Sequence, residues 1–268
     1  MAKHEKREER GSKERKTGKK GERGGPANGK RETLHVALLV DESGSMAPLH
    51  GAVIAGVNEF IAEMKVDPSP DTRTLVSLAM FDARGGEPPV RVRFSDLPLE
   101  KVKPIGPSQY APHGATPLND AVRKTIKALE RAARPAKKGG RPDRVMIVVL
   151  TDGLENASET SSGDLQKLIL AKEAEGWEFL YLGANQDTWA ATAGIGLDRR
   201  GKHMAWEASS AGVSAAMRVS GERAKRFRDA PEEYELESKM LSDRIEPGDV
   251  KARLLSESER RRGGRSGR

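Results

Sequence analysis

Residues 34–45 read LHVALLVDESGS, and the interpretation of this stretch decides the fold. A near-continuous apolar run, partly β-branched, breaks off at Asp41 and is followed by hydroxyls at alternate positions, Ser43 and Ser45. Such a run bounded by Asp, Ser and Gly predicts a strand buried on both faces. In an open parallel sheet, ligands bind outside the carboxyl ends of the strands, so Asp41, Ser43 and Ser45 are candidates for a site. All three offer oxygen. An oxygen-only donor set suits a hard cation such as magnesium, but the same residue types are ordinary turn formers, so the triplet alone leaves both readings open.

The flanking sequence alternates helix and strand. Residues 48–65 place Leu49, Val53, Val57, Phe60, Ile61 and Met64 on one face, which predicts the crossover helix. DPSPD at 67–71 breaks the chain, TLVSLAMF at 74–81 predicts a second strand, and 90–94 alternates apolar residues with Arg, as a solvent-facing antiparallel edge strand would. A loop over 103–115 with three prolines delivers Thr116 directly before Pro117, a helix-start signal, and Leu118, Val122, Ile126 and Leu129 continue on one face. Thr116 is thereby placed at a helix N-terminus, either as a plain cap or with its hydroxyl free for a site. His113 has no second His or Cys at ligand spacing beside it and reads as a loop residue.

After the basic linker at 134–141, VMIVVL at 145–150 predicts the most hydrophobic strand, and it ends in Thr151, Asp152 and Gly153. Two buried strands that each end in Asp, with a Thr at a helix start between them, form a pattern that independent turns seldom produce. A helix from Ser162 to Gly176, a strand at 179–182, the turn GANQD at 183–187, a short helix holding Trp189 and a last helix over 210–228 complete the expected alternation.

The chain of 268 residues has a net charge of +7, but the charge is unevenly distributed. Residues 1–32 hold 12 Lys+Arg against 6 Asp+Glu, residues 251–268 hold 7 against 2, and the remaining 28 and 32 leave the middle net acidic. The three expected regions are a basic disordered tail at 1–32, one folded domain at 33–228, and an acidic then Arg-rich disordered tail at 229–268. The absence of Cys excludes disulfides, thiolate metal sites and cysteine nucleophiles, and fits a reducing compartment. With no apolar run in the first thirty residues and none long enough to cross a bilayer, the expected location is cytoplasmic.

Taken together, Asp41, Ser43, Ser45, Thr116 and Asp152 resemble the metal-ion-dependent adhesion site of von Willebrand factor A-type domains. That family carries DxSxS after the first strand, a Thr at the start of a middle helix, and an Asp, often within TDG, after the fourth strand. All five positions are present in order, and the resemblance covers residues 33–228. GANQDTWAATAGIG at 183–196 further resembles the last strand and helix of bacterial and phage-type cytoplasmic members. The resemblance implies a doubly wound α/β fold, with a mostly parallel central sheet flanked by helices and one antiparallel edge strand. It also implies magnesium or manganese held by Ser43 and Ser45, with Thr116, Asp41 and Asp152 contributing directly or through water, and an acidic side chain of a partner protein completing the coordination.

The function expected on these grounds is metal-dependent protein binding without catalysis, because no GxSxG, Walker A or HExxH pattern is present. A magnesium-dependent phosphohydrolase with Asp41 as nucleophile is the rival reading, but it wants a second acidic residue where Ser43 stands. A third reading has the basic tails touching nucleic acid or another polyanion non-specifically.

Overall fold

The computed structural model describes residues 31–133, 142–184, 195 and 203–242. Six strands, β1 (Glu32–Asp41), β2 (Thr72–Phe81), β3 (Val90–Pro98), β4 (Arg144–Thr151), β5 (Glu178–Ala184) and β6 (His203–Trp206), form one sheet in the order β3-β2-β1-β4-β5-β6. All neighbours pair in parallel except β2 and β3, so the mostly parallel sheet with one antiparallel edge is as expected. Helices α1 (His50–Lys65), α2 (Leu118–Ala132), α3 (Ser162–Ala174), α4 (Ser210–Asp229) and α5 (Pro231–Ser242) cover it.

The unbroken apolar run of β1 follows from burial on both faces. Leu34, Val36, Leu38 and Val40 point to the layer of α1, α4 and α5, while Ala37 and Leu39 point to the layer of α2 and α3. Val40 lies opposite Leu150 of β4, so Asp41 and Thr151 end two adjacent central strands at one level. A 3-10 turn, Gly44–Leu49, then leads into α1.

Two expectations are corrected and one element is added. The folded chain does not end at Arg228: α5 continues it, and buried Tyr234 stacks edge-on against Phe227 with ring centroids 5.3 Å apart. β6 was not foreseen, because four residues, HMAW, are too short to show a period. The Arg residues of β3 do not simply face solvent, since Arg91 and Arg93 turn onto the buried Glu42 carboxylate, and Arg91 also meets buried Asp82. The expected linker at 134–141, the helix around Trp189 and both terminal tails lie outside the described residues, save Arg31, Glu32 and the stretch through Ser242.

Candidate metal centre

In this strand order the chain leaves β1 toward one side of the sheet and β4 toward the other, which opens a crevice at their carboxyl ends. Asp41 is fully buried there. Its Oδ1 accepts the Ser43 backbone N–H at 2.7 Å, and its Oδ2 accepts the Thr151 hydroxyl at 2.5 Å. Ser43 and Ser45 share a hydrogen bond of 3.1 Å between their hydroxyls, and Ser45 donates to Asp152 Oδ1 at 2.7 Å. Thr116 closes the group: a Cβ placed on Gly153 would lie 3.1 Å from Thr116 Oγ1 and 3.8 Å from Asp41 Oδ2. All five predicted residues therefore converge, although they come from three loops, with Ser45 and Asp152 107 positions apart.

Burial raises the Asp41 carboxyl to about 6, against the lowering effect of its bonds to Thr151 and Ser43, and the Asp152 charge adds to the rise. Asp152 is raised too, chiefly by burial. Two carboxylates that both resist ionisation at one spot are short of positive charge, which a divalent ion would supply. The donor set fits that ion: two carboxylates and three hydroxyls, all oxygen, with no soft ligand. Among the described residues no three His, Asp or Glu side chains converge in a metal-binding group, so the hydroxyls are an essential part of this set.

The loops are braced by residues that sequence reasoning missed. Thr116 does not cap α2, whose N-cap is Pro117 and carries no side-chain cap. The loop after β4 supplies that role: Asn156 Oδ1 accepts Thr116 N–H at 2.8 Å while Asn156 N–H donates back to the Thr116 carbonyl at 3.2 Å. Glu155 accepts the Asn119 N–H at 2.7 Å and the Ser158 hydroxyl accepts that of Asp120 at 3.0 Å, so first-turn donors of α2 are satisfied from another segment. On the other side, Glu42 accepts the Ala111 N–H together with Arg91 and Arg93, and its carbonyl accepts the His113 N–H at 2.7 Å. Tyr110 donates to the Asp41 carbonyl at 2.8 Å. Gly114 has φ +75°, and a side chain there would collide with the Ala83 carbonyl, so only glycine lets this loop bring Thr116 inward. The one signal available in advance was position: Glu42 sits inside the opening motif, and Glu155 and Asn156 follow directly on Asp152.

A family model for the von Willebrand factor type A domain matches residues 35–215. No curated protein matches the chain. Among solved structures, the pilus adhesin SpaC of Lactobacillus rhamnosus GG is similar at 17% identity and a TM-score of 0.54, over 75% of this chain and 31% of that one. The vWF domain of the type V pili tip protein Mfa5 from Porphyromonas gingivalis is similar at 11% identity and a TM-score of 0.50, over 75% and 98%. Proximal thread matrix protein 1 of the mussel byssus is similar at 16% identity and a TM-score of 0.48, and the chain spans only 46% of it. At these identities the likeness is one of fold.

Proposed function

The chain belongs to the von Willebrand factor type A domain family, and from that premise we propose that it is a divalent-metal-dependent protein-binding module and not an enzyme. The observation that carries the reading is the convergence of Asp41, Ser43, Ser45, Thr116 and Asp152 on one crevice with two carboxyls raised by burial. These five residues would hold magnesium or manganese, and the bound ion would offer a positive centre able to take an oxygen ligand from outside. Two carboxylates neutralise a divalent ion. Behind them, Arg84, Arg91 and Arg93 face Glu42, Asp82 and Glu87, three guanidiniums against three carboxylates, so this cluster adds no net negative charge that would repel an incoming anion. An incoming carboxylate from a partner protein would complete the oxygen shell of such an ion.

The rival phosphohydrolase reading asks Asp41 to attack phosphorus, yet both its oxygens already accept hydrogen bonds from within the fold. That engagement supports a structural and ligating role. No helix among the described residues is long and apolar enough to cross a membrane. A cytoplasmic setting is part of the proposal and rests on the lack of Cys.

Calorimetric titration with magnesium and manganese tests the reading, alongside recovery of bound proteins with and without chelator. Wild type should bind one ion, Asp41→Ala and Asp152→Ala should lose it, and Ser43→Ala should weaken it less because water can replace a neutral hydroxyl. Unchanged metal affinity in Asp41→Ala would overturn the proposal.

A further inference from the structure

Charge within the folded domain is segregated. Residues 123–141 carry eight Lys and Arg against one acidic residue, Glu130, although residues 33–250 as a whole are net acidic. Glu130 is itself engaged from α3 by Lys172 at 2.7 Å. On α2, Leu118, Ala121, Val122, Ile126 and Leu129 are buried against the sheet, while Arg123, Lys124, Lys127 and Arg131 are exposed. Among the described residues none of these four cations forms an ion pair. Asp120 and Asp164 sense Lys124 and Arg123 only at a distance. Arg123, Lys127 and Arg131 recur every fourth residue, which sets them about 6 Å apart in a row of about 12 Å along the helix axis.

We infer that the exposed face of α2 is a contact surface for the phosphate backbone of double-stranded nucleic acid. A row of unpaired Lys and Arg matches a polyanion, and such contacts need no base readout. Protein interface cores are depleted in Lys and built on apolar anchors, and the exposed large apolar side chains, Val66, Val92, Leu154, Leu170 and Leu236, all lie off α2. The same lack of apolar side chains argues against insertion into a lipid surface. No aromatic residue stands on the row, so single strands would find no stacking platform. The sequence had placed any such contact in the tails; the folded domain presents a face of its own, independent of the metal centre.

The test is fluorescence anisotropy of the full chain with a labelled random-sequence DNA duplex in chelator, across a salt series. The triple variant Arg123→Gln, Lys127→Gln, Arg131→Gln should bind roughly tenfold more weakly at low salt and flatten the log–log salt slope by about 2 to 3, since each phosphate contact contributes about 0.9. A control with the same charge change at exposed positions elsewhere, Arg73→Gln, Lys101→Gln, Lys103→Gln, should stay near wild type. Equal loss in the two triples, or none in the α2 triple, would overturn the inference. So would poly-glutamate or anionic vesicles competing as well as unlabelled duplex at equal charge.

Discussion

Asp41 is a carboxylate that the fold holds at a cost. It is buried, and its pKa is raised to about 6 mainly by desolvation. Asp41→Asn keeps the shape and, with Oδ1 still accepting the Ser43 N–H and Nδ2 donating to the Thr151 hydroxyl, keeps both hydrogen-bonding contacts while removing the charge, so the protein in chelator should gain about 1–3 kcal/mol at neutral pH. Thermal unfolding in chelator reads that gain, and addition of magnesium should raise Tm in wild type but not in the variant. Asn156 acts one step further out, through the Thr116 backbone. Its side chain is exposed, so Asn156→Ala should leave Tm nearly unchanged yet weaken magnesium binding about tenfold, whereas Asn156→Asp retains the acceptor and should bind far better than the alanine variant. A fall in Tm with unaltered metal affinity would reduce Asn156 to a loop staple.

At the scale of elements, the helices on the α1 side are tied together at their carboxyl ends. Buried Arg228, at the end of α4, donates to the Met64 carbonyl at 2.9 Å and the Asp67 carbonyl at 2.7 Å, covering the last turn of α1. Arg144 of β4 in turn donates to the Phe227 and Arg228 carbonyls. Cations at helix carboxyl ends are favoured by the helix dipole, and here they also satisfy carbonyls left without a helical partner. α5 completes this layer: Tyr234 covers Phe227 and donates to Glu178 Oε1 at 3.0 Å. Tyr234→Ala should cost about 3 kcal/mol, and Tyr234→Phe, which keeps the packing, about 1 kcal/mol. Denaturant unfolding of the two variants separates packing from hydrogen bonding; equal, small losses would mean that α5 is an appendage.

Across the whole molecule, two buried groups act in opposite directions on the acid side: Asp41 takes its proton in the folded state first, which adds stability as pH falls through about 6, while His203 removes it. His203 on β6 is buried against Tyr181, ring centroids 5.6 Å apart, and burial pushes it down to about 4. The folded state keeps it neutral while the unfolded chain takes the proton near 6.5, so its effect is nil above that value. As pH falls from about 6.5 to about 4 this group binds more protons in the unfolded state, and its own contribution to stability drops by up to about 3 kcal/mol. His203→Gln should flatten this part of the stability curve, measured by urea midpoints between pH 7 and 4. Parallel curves for wild type and variant would refute it.

The sequence by itself determined what depends on one segment at a time. The runs at 34–40 and 145–150 are apolar at every position because each strand is covered on both sides, and that property is visible without knowing what does the covering. Order and spacing likewise put Asp41 and Asp152 at the carboxyl ends of two strands and Thr116 just before a helix, and the fold brings these together with Ser43 and Ser45. Which groups hold those residues in place was decided only by the tertiary structure. Arg91 reads as a polar position on an edge strand until β2 brings Asp82 beside it and β1 brings Glu42, 49 positions away. Asn156 reads as a turn residue until it meets Thr116 across 40 positions. β6 and α5 are fixed by contacts with β5 and α4 more than by their own periodicity. Periodicity reports how much of an element is buried; the identity of a polar partner is set by distances between remote segments, and these exist only once the chain has closed on itself.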